Sequence, residues 1–411
     1  MIHKDDHKIL LKKMLECVRC GKCRVVCPTL DAESPGIPLW AIFDPCGRVK
    51  LALGLELNCI PINDLLVKSE YTCLFCNACV EECPSQTKVT DIVTATRNRI
   101  FKEGKAPSPE IEMNDLVATT GNIFGLDAED RMLWAFDIEE VIEDKINITA
   151  KVLYFVGCQG SYKGSLARTP IGLIRMLEHL IVDYTLLGEE EKCCGSPMFL
   201  IGDTEGFTNQ VHENVEMIKN LNVQLVLFTC PSCYNRFSNY KKILGEPLTF
   251  KLQFATDFLS EKLASGELKI ATSTPKDLGI ITYHDACELG RHQGIYDSPR
   301  NLIKAIPNLK YKEMIVTQEK THCCGGGGLI AVGYPNIRES QSARKMLEFQ
   351  ENSVNTVVTA CYGCYDTLTQ AAGIYNNQHP DKPIQIVDIF DLLGRLIEDP
   401  IPATLATMKT T

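Results

Sequence analysis

The chain has 411 residues, with 52 acidic and 42 basic side chains for a net charge of -10, and 45% of its residues are hydrophobic. That is long enough for two or three domains with proper cores, while the acidic balance, the lack of a basic run and the 7% of aromatic residues argue against nucleic-acid binding. The opening MIHKDDHKILLKKMLEC is too charged for a signal peptide, and no uncharged apolar run reaches the roughly 18 residues of a membrane span. The expectation is a cytoplasmic protein whose membrane contact, if any, comes through a partner.

Twenty cysteines in a reducing compartment point to metal rather than to disulfides. In chain order, the first run is Cys17-x2-Cys20-x2-Cys23-x3-Cys27-Pro28, and the second is Cys73-x2-Cys76-x2-Cys79-x3-Cys83-Pro84. Both match the bacterial ferredoxin run, in which the fourth cysteine, before Pro, ligates the other cluster. Two cubane 4Fe-4S clusters are expected, one on Cys17, Cys20, Cys23 and Cys83, the other on Cys73, Cys76, Cys79 and Cys27. A pair of zinc sites fits less well, because zinc asks for two short pairs of ligands rather than three close thiolates and a distant fourth. Residues 1–105 thus form an α-helical, two-cluster ferredoxin-type domain.

The acidic stretch from Lys102 to Ile148, with Trp134 and Phe136, reads as a connector over 106–148 packed against both halves, with a helix around Glu129 to Trp134. Two similar segments follow, at 149–268 and 276–400. Cys158, the pair Cys193 and Cys194, and Cys230 and Cys233 recur as Cys287, the pair Cys323 and Cys324, and Cys361 and Cys364. The period, about 130 residues, marks duplicated domains rather than a solenoid. KVLYFVG, VQLVLFT, GIITYHDAC, YKEMIV and NTVVTAC read as strands. IGLIRMLEHL, FTNQVHENVEMIKNLN, SPRNLIKAI and PNIRESQSARKMLEF read as helices. Alternation of this kind predicts two α/β domains, each a Rossmann-like parallel sheet with its cysteines at the carboxyl edge, where open α/β sheets place ligands. Gly325 to Gly328 would then let the backbone approach an inorganic cluster and aim N–H groups at it. A regular cubane takes four thiolates, so the fifth cysteine of each group is a spare, a redox thiol or a ligand of an irregular cluster.

Lys163, Arg168, Arg291 and His292 lie just after the first cysteine of their repeats, as candidate cations for an anionic substrate between the two domains. Ordinary solvated helix starts would look the same. Lys192 and His322 precede the vicinal pairs as candidate hydrogen-bond or proton donors. His284 and Asp285 read as satisfied polar groups near a strand end, and Cys46 and Cys59 as isolated cysteines outside the motifs. No glycine fingerprint for flavin or nicotinamide follows a strand at the needed spacing, so neither is expected on this chain.

The two ferredoxin runs and the two five-cysteine repeats, in this order and over nearly the whole chain, resemble the iron–sulfur subunit of the two-subunit heterodisulfide reductase of methanogenic archaea. The resemblance implies two cubane clusters feeding two noncubane 4Fe-4S clusters. Cys158, Cys193, Cys194, Cys230 and Cys233 would hold one of these, and Cys287, Cys323, Cys324, Cys361 and Cys364 the other. It further implies an anaerobic enzyme of methanogenesis that reduces the mixed disulfide of coenzyme M and coenzyme B to two thiols, with a membrane cytochrome b-type subunit as electron donor. The pattern is also similar to the iron–sulfur subunits of glycolate, lactate and glycerol-3-phosphate oxidising systems, which relay electrons from a flavoprotein toward quinone.

Overall fold

The structure is a computed structural model that describes residues 4–31, 41–270 and 278–397. The domain limits expected at 1, 276 and 400 fall outside these residues. The N-terminal part is helical, with Lys4–Leu15, Pro45–Glu56, Asp64–Tyr71 and Val89–Lys102 as its longer helices. Local chemistry sets their starts. The Asp44 carboxylate accepts from Gly47 N at 2.6 Å and Pro45 occupies the first turn, while Asn63 Oδ1 accepts from Leu66 N at 3.0 Å.

The rest of the chain builds two four-stranded parallel sheets. β1 (Val152–Phe155), β2 (Tyr184–Thr185), β3 (Leu225–Phe228) and β4 (Lys251–Phe254) lie in the order β2-β1-β3-β4. β5 (Ile280–Tyr283), β6 (Lys310–Tyr311), β7 (Thr356–Thr359) and β8 (Gln385–Asp388) lie in the matching order β6-β5-β7-β8. The central strands β1 and β7 are buried along their whole length, because helices cover both faces of each sheet. The register pairs Val152 with Leu225 and Phe155 with Phe228 in one sheet, and Thr356 with Gln385 and Thr359 with Asp388 in the other.

Three expectations need correction. YKEMIV contributes only Tyr311 to the short strand Lys310–Tyr311, because Glu313 turns to meet Arg300 at 2.8 Å and Ile315 is exposed. β2, β4 and β8 were not foreseen; β2 is only two residues long, and KLQF and QIVD begin at exposed residues and carry a weak apolar signal. The connector holds a helix, Ser108–Thr120, ahead of the expected turn of helix, and the latter is the 3-10 segment Ala128–Ile138. Trp134 of that segment is buried, whereas Phe136 is exposed.

Two helix pairs join the repeats. Arg168–His179 of the first packs on Ile389–Gly394 of the second, and Ala255–Ala264 of the first packs on Asp297–Lys304 of the second. Thr256 Oγ1 and Ser298 Oγ meet across the latter contact at 3.0 Å.

The N-terminal helices are tied to both repeats by one side chain. Arg97 is fully buried and donates to Glu70 O at 2.8 Å, Cys73 O at 3.0 Å, Leu200 O at 2.7 Å and Gly328 O at 3.4 Å. Its guanidinium also lies 4.6 Å from the Tyr71 ring centre and 4.7 Å from that of Phe75. A planar fork of donors suits this role, since lysine offers a point charge instead. Leu200 belongs to the first repeat and Gly328 to the second, so three parts of the chain converge on one cation.

Glu70 sits beside it, fully buried, with neither carboxylate oxygen hydrogen-bonded. Burial pushes its carboxyl up from 4.5 to about 8, against the pull of Arg48 and Arg97. An exposed glutamate releases its proton near 4.5, whereas the folded chain keeps this one up to about pH 8. Folding therefore takes up a proton across that window, and stability falls as pH rises through it, by up to about 1.4 kcal/mol per pH unit from this group. In urea unfolding from pH 5 to pH 8, Glu70→Gln should flatten the decline; an unchanged pH profile would contradict it.

Candidate metal centres

The first repeat brings its five thiols together. Cys158 opens a short helix directly after β1, the pair Cys193 and Cys194 follows β2 by way of a short loop, and Cys230 caps the helix Pro231–Leu244 after β3, with Cys233 in its first turn. All five are buried. They form a chain of contacts in which Cys158 meets Cys193, Cys194 meets Cys193 and Cys233, and Cys233 meets Cys230. The vicinal pair is held by its backbone: Asn214 Nδ2 donates to Cys193 O at 3.0 Å, Tyr240 OH to Cys194 O at 2.9 Å, and Cys193 N to Gly121 O of the connector at 2.7 Å. Glu191 fixes the loop before Cys158 by accepting from Val156 N and Gly157 N, each at 2.8 Å. Its charge is met by buried Arg131 at 2.8 Å.

The second repeat repeats the arrangement. Cys323 meets Cys287 and Cys324, Cys324 meets Cys364, and Cys364 meets Cys361. Asp285 pairs with Arg300 through two bonds of 2.7 and 2.8 Å and accepts from Gln318 N at 2.8 Å, which takes it out of the thiol group. His284 differs. It is buried, it meets the Cys324 thiol, and one of its ring nitrogens lies within 4.8 Å of the sulfurs of Cys324 and Cys364. Val156 and Gly157 occupy the corresponding loop in the first repeat, so the two groups are not chemically equal.

Crowding is the dominant electrostatic feature. Contact with neighbouring thiols and burial push Cys158, Cys233, Cys323 and Cys364 up, while contact with Cys193 and Cys233 pulls Cys194 down. Five buried sulfurs in the first group, and four with the half-buried Cys287 in the second, are donor sets that a positive metal centre would neutralise.

In the N-terminal part, Cys27, Cys73, Cys76 and Cys79 line one small cavity of about 20 Å³ together with Arg48, Phe75 and Asn77. Cys27 therefore reaches the second run, across 46 residues from Cys73. Arg48 is buried there and donates to Cys27 Sγ at 3.7 Å, Ser69 O at 2.8 Å and the hydroxyls of Thr29 and Thr72. Cys79 is raised by burial and by Cys76, Cys73, Cys27 and Cys23 around it. Of the first run, Cys20 is exposed and Cys17 and Cys23 half-buried. The Cys83 thiol lies 3.4 Å from Ser85 Oγ and from Thr87 N. Burial, Asp44, Cys46 and Cys17 push Cys23 up to about 12.

The two halves meet at a sulfur contact. Cys76 and Cys323 touch through their thiols, which holds Cys76 below the usual thiol range. Around this contact Arg291 Nε donates to Cys76 O at 2.5 Å, Arg291 Nη1 to Thr321 O at 2.6 Å, and His292 Nε2 lies 2.7 Å from Phe75 O. Arg291 and His292 thus grip the loop of the second run. Lys163 pairs with Asp366 across the two repeats at 2.5 Å, and Arg168 is exposed near Tyr365. Lys192 and His322 point outward, to Glu213 at 3.0 Å and Glu348 at 3.1 Å.

The glycine stretch serves two ends. Gly325 N and Gly326 N each lie 3.4 Å from a thiol sulfur, of Cys323 and Cys324. Gly328, at φ +68°, lies so close to the second run that a Cβ would overlap Cys73 O. The two five-thiol groups also approach each other, Cys361 lying near Cys230. Hydroxyls fill the junction between them, with Thr229 Oγ1 at 2.8 Å from Tyr362 OH and 2.9 Å from Tyr154 OH. A separate cavity of about 800 Å³ between the repeats is lined by Tyr234, Lys251, Asp257, Tyr296 and their neighbours and contains no cysteine.

Sequence reasoning missed Arg48 and Arg97, and it separated Cys46 from the first run although the two touch. The signal available for the arginines was a lone basic residue on an otherwise apolar helix face, since Arg48 and Arg97 are flanked by buried Val49, Ala52, Val93 and Ile100.

The family model described as a cysteine-rich domain matches residues 152–238 and 281–369. The chain is 30% identical to the D-type subunit of a dihydromethanophenazine:CoB–CoM heterodisulfide reductase from Methanosarcina acetivorans, over 88% of this chain and 89% of that protein. It is 28% identical to the protein of the same name from Methanosarcina barkeri, over 95% of each chain. It is 26% identical to an EtfAB:quinone oxidoreductase from Syntrophomonas wolfei, over 93% of this chain and 58% of that protein.

Gly328→Ala tests the contact between the second repeat and the second run. It should speed amide exchange at Leu74 to Asn77 by about tenfold or more while leaving β7 protected, because the added methyl meets backbone. Unchanged exchange at that loop would show that the close approach is not required.

Proposed function

Because the chain belongs to the family of D-type heterodisulfide reductase subunits, we propose that it is an iron–sulfur subunit that reduces the mixed disulfide of coenzyme M and coenzyme B to two thiols. The contact of Cys76 with Cys323 carries this reading, because it puts the last of the N-terminal thiol groups directly against a five-cysteine group.

In this reading Cys17, Cys20, Cys23 and Cys83 hold one cubane cluster and Cys73, Cys76, Cys79 and Cys27 a second, in an N-terminal ferredoxin-type domain. Cys158, Cys193, Cys194, Cys230 and Cys233 hold a third cluster, and Cys287, Cys323, Cys324, Cys361 and Cys364 a fourth. The cavity among Cys27, Cys73, Cys76 and Cys79 and the crowding of the five-thiol groups support the donor sets. When bound, the clusters supply one-electron redox chemistry. Cleavage of R–S–S–R′ takes two electrons and two protons and yields RSH and R′SH, so two sites that face each other near Cys230 and Cys361 suit one substrate.

The chain's own residues then divide the work. Arg48 donates to Cys27 and keeps a positive charge at the second cubane group. Arg291 and His292 lock the loop of Phe75, Cys76 and Asn77 onto the second repeat. Arg168, exposed near Tyr365, stays as a cation for the anionic groups of the substrate, whereas the Lys163 charge is met by Asp366 across the repeats. The electron donor is a cytochrome b-type subunit or another partner. Among the described residues no helix is long and apolar enough to cross a membrane, so membrane association would come through that partner.

The resemblance to the quinone oxidoreductase keeps one other reading in view, that of a relay without disulfide chemistry. Anaerobic oxidation of reduced viologen by cluster-loaded protein distinguishes the two. The reductase predicts oxidation that depends on the heterodisulfide and falls at least about a hundredfold in Cys323→Ala and Cys194→Ala, the range in which loss of a catalytic group is usually read. No heterodisulfide-dependent turnover by fully loaded protein would assign the relay.

A further inference from the structure

We propose that the surface around Cys20 is the docking face for a small, soluble, acidic protein that delivers electrons one at a time. The inference rests on the reading of Cys17, Cys20, Cys23 and Cys83 as a cluster site. It deepens that reading by choosing the donor, which was left between a cytochrome b-type subunit and another partner.

Charge sets this surface apart. From Lys8 to Val25 the chain holds six basic side chains and one acidic, Glu16, in a protein whose net charge is -10. Lys13 pairs with Asp91 and Arg24 with Asp44, each at 2.9 Å. Lys8, Lys12, Arg19 and Lys22 are exposed, with no ion pair among the described residues. The same stretch leaves apolar groups in water: Leu15 and Val18 are each 67% exposed and Val25 77%. Left-handed backbone at Arg19, φ +60°, and Gly21, φ +78°, bends the run on both sides of Cys20, which is itself exposed. Exposed apolar residues with a charged rim have the composition of an interface.

The sign of the rim and the packing of the first helix select the occupant. An anionic membrane would require the apolar face of Lys4–Leu15 to enter lipid, but Leu10 and Met14 of that helix pack against the core residues Val49, Ala52 and Val89. The cytoplasmic loops of a membrane subunit carry an excess of Lys and Arg, which these exposed cations would repel. A soluble carrier with an acidic rim is complementary. On docking, one electron passes from the reduced carrier to the site of Cys17, Cys20, Cys23 and Cys83. The carrier is oxidised, the site is reduced, and no bond or proton moves.

The probe is a small acidic two-cluster ferredoxin, titrated by calorimetry into anaerobically loaded protein. Binding should be saturable and weaken about tenfold or more between roughly 50 and 300 mM salt. The triple variant Lys12→Glu, Arg19→Glu, Lys22→Glu should lose about tenfold or more in affinity at low salt, and the bleaching of its clusters on stopped-flow mixing with reduced ferredoxin should slow by a similar factor. Leu15→Ser with Val25→Ser, which leaves the charges in place, should speed dissociation. Absence of ferredoxin binding by wild type, or binding indifferent to the charge reversal, overturns the proposal. So does a wild type that ignores ferredoxin but binds phosphatidylglycerol vesicles, or dimerises at low salt, in a manner lost in the triple variant; the face would then belong to a membrane or to a second copy. Reduced viologen needs no docking face. Heterodisulfide-dependent viologen oxidation without ferredoxin binding overturns this inference alone, whereas charge-dependent ferredoxin binding and cluster bleaching without heterodisulfide turnover upholds it and overturns the reductase reading.

Discussion

The fork of hydrogen bonds from Arg97 is the constraint on which the remaining geometry depends. A guanidinium buried without a carboxylate bonded to it has to satisfy its donors on carbonyls, and Arg97 takes them from Glu70, Cys73, Leu200 and Gly328. Each of those carbonyls ends or turns an element next to a thiol group. Loss of the fork would leave several of them buried and unpaired, at roughly 1–3 kcal/mol each. The same contact sets how closely the second run can approach the second repeat, which Gly328 then permits by having no Cβ. Gly202 plays a similar part on the first repeat, where a Cβ would overlap the backbone of Arg97.

From that junction the duplicated architecture follows one rule and breaks it once. Parallel strands deliver their cysteines to the carboxyl edge, and two helix pairs, Arg168–His179 on Ile389–Gly394 and Ala255–Ala264 on Asp297–Lys304, join the two repeats. The exception is the approach of the N-terminal helices, which press on the second repeat through Cys76, Arg291 and His292. His284, present beside the second group only, adds to the inequality. This arrangement gives the second group alone the direct contact with the N-terminal thiols through Cys76 and Cys323.

How much of this was legible in the sequence depends on the range of the interaction. Cysteine spacing and short β-branched runs are local, and β1, β3, β5 and β7 appear where those runs stand. β4 and β8 carry polar or exposed residues at their starts, and their pairing with β3 and β7 is decided by the sheet rather than by their own pattern. Arg291 and His292 were expected as cations facing an anionic substrate, whereas the structure engages them with the carbonyls of Cys76, Thr321 and Phe75. The loop of Phe75 and Cys76 lies some 215 residues away, which spacing cannot reveal. Cys46 was read as a small buried hydrophobe outside the motifs; it is buried, and its side chain meets the Cys17 thiol, a neighbour that spacing does not reveal.

Anomalous diffraction at the iron edge, on anaerobically loaded crystals, tests the central claim most directly, because it locates metal without reference to activity. The account predicts iron among Cys27, Cys73, Cys76 and Cys79 and among the five cysteines of each repeat, with the Cys76 and Cys323 centres adjacent. Iron missing from the repeats, or a zinc edge in place of iron at any of these groups, would contradict it.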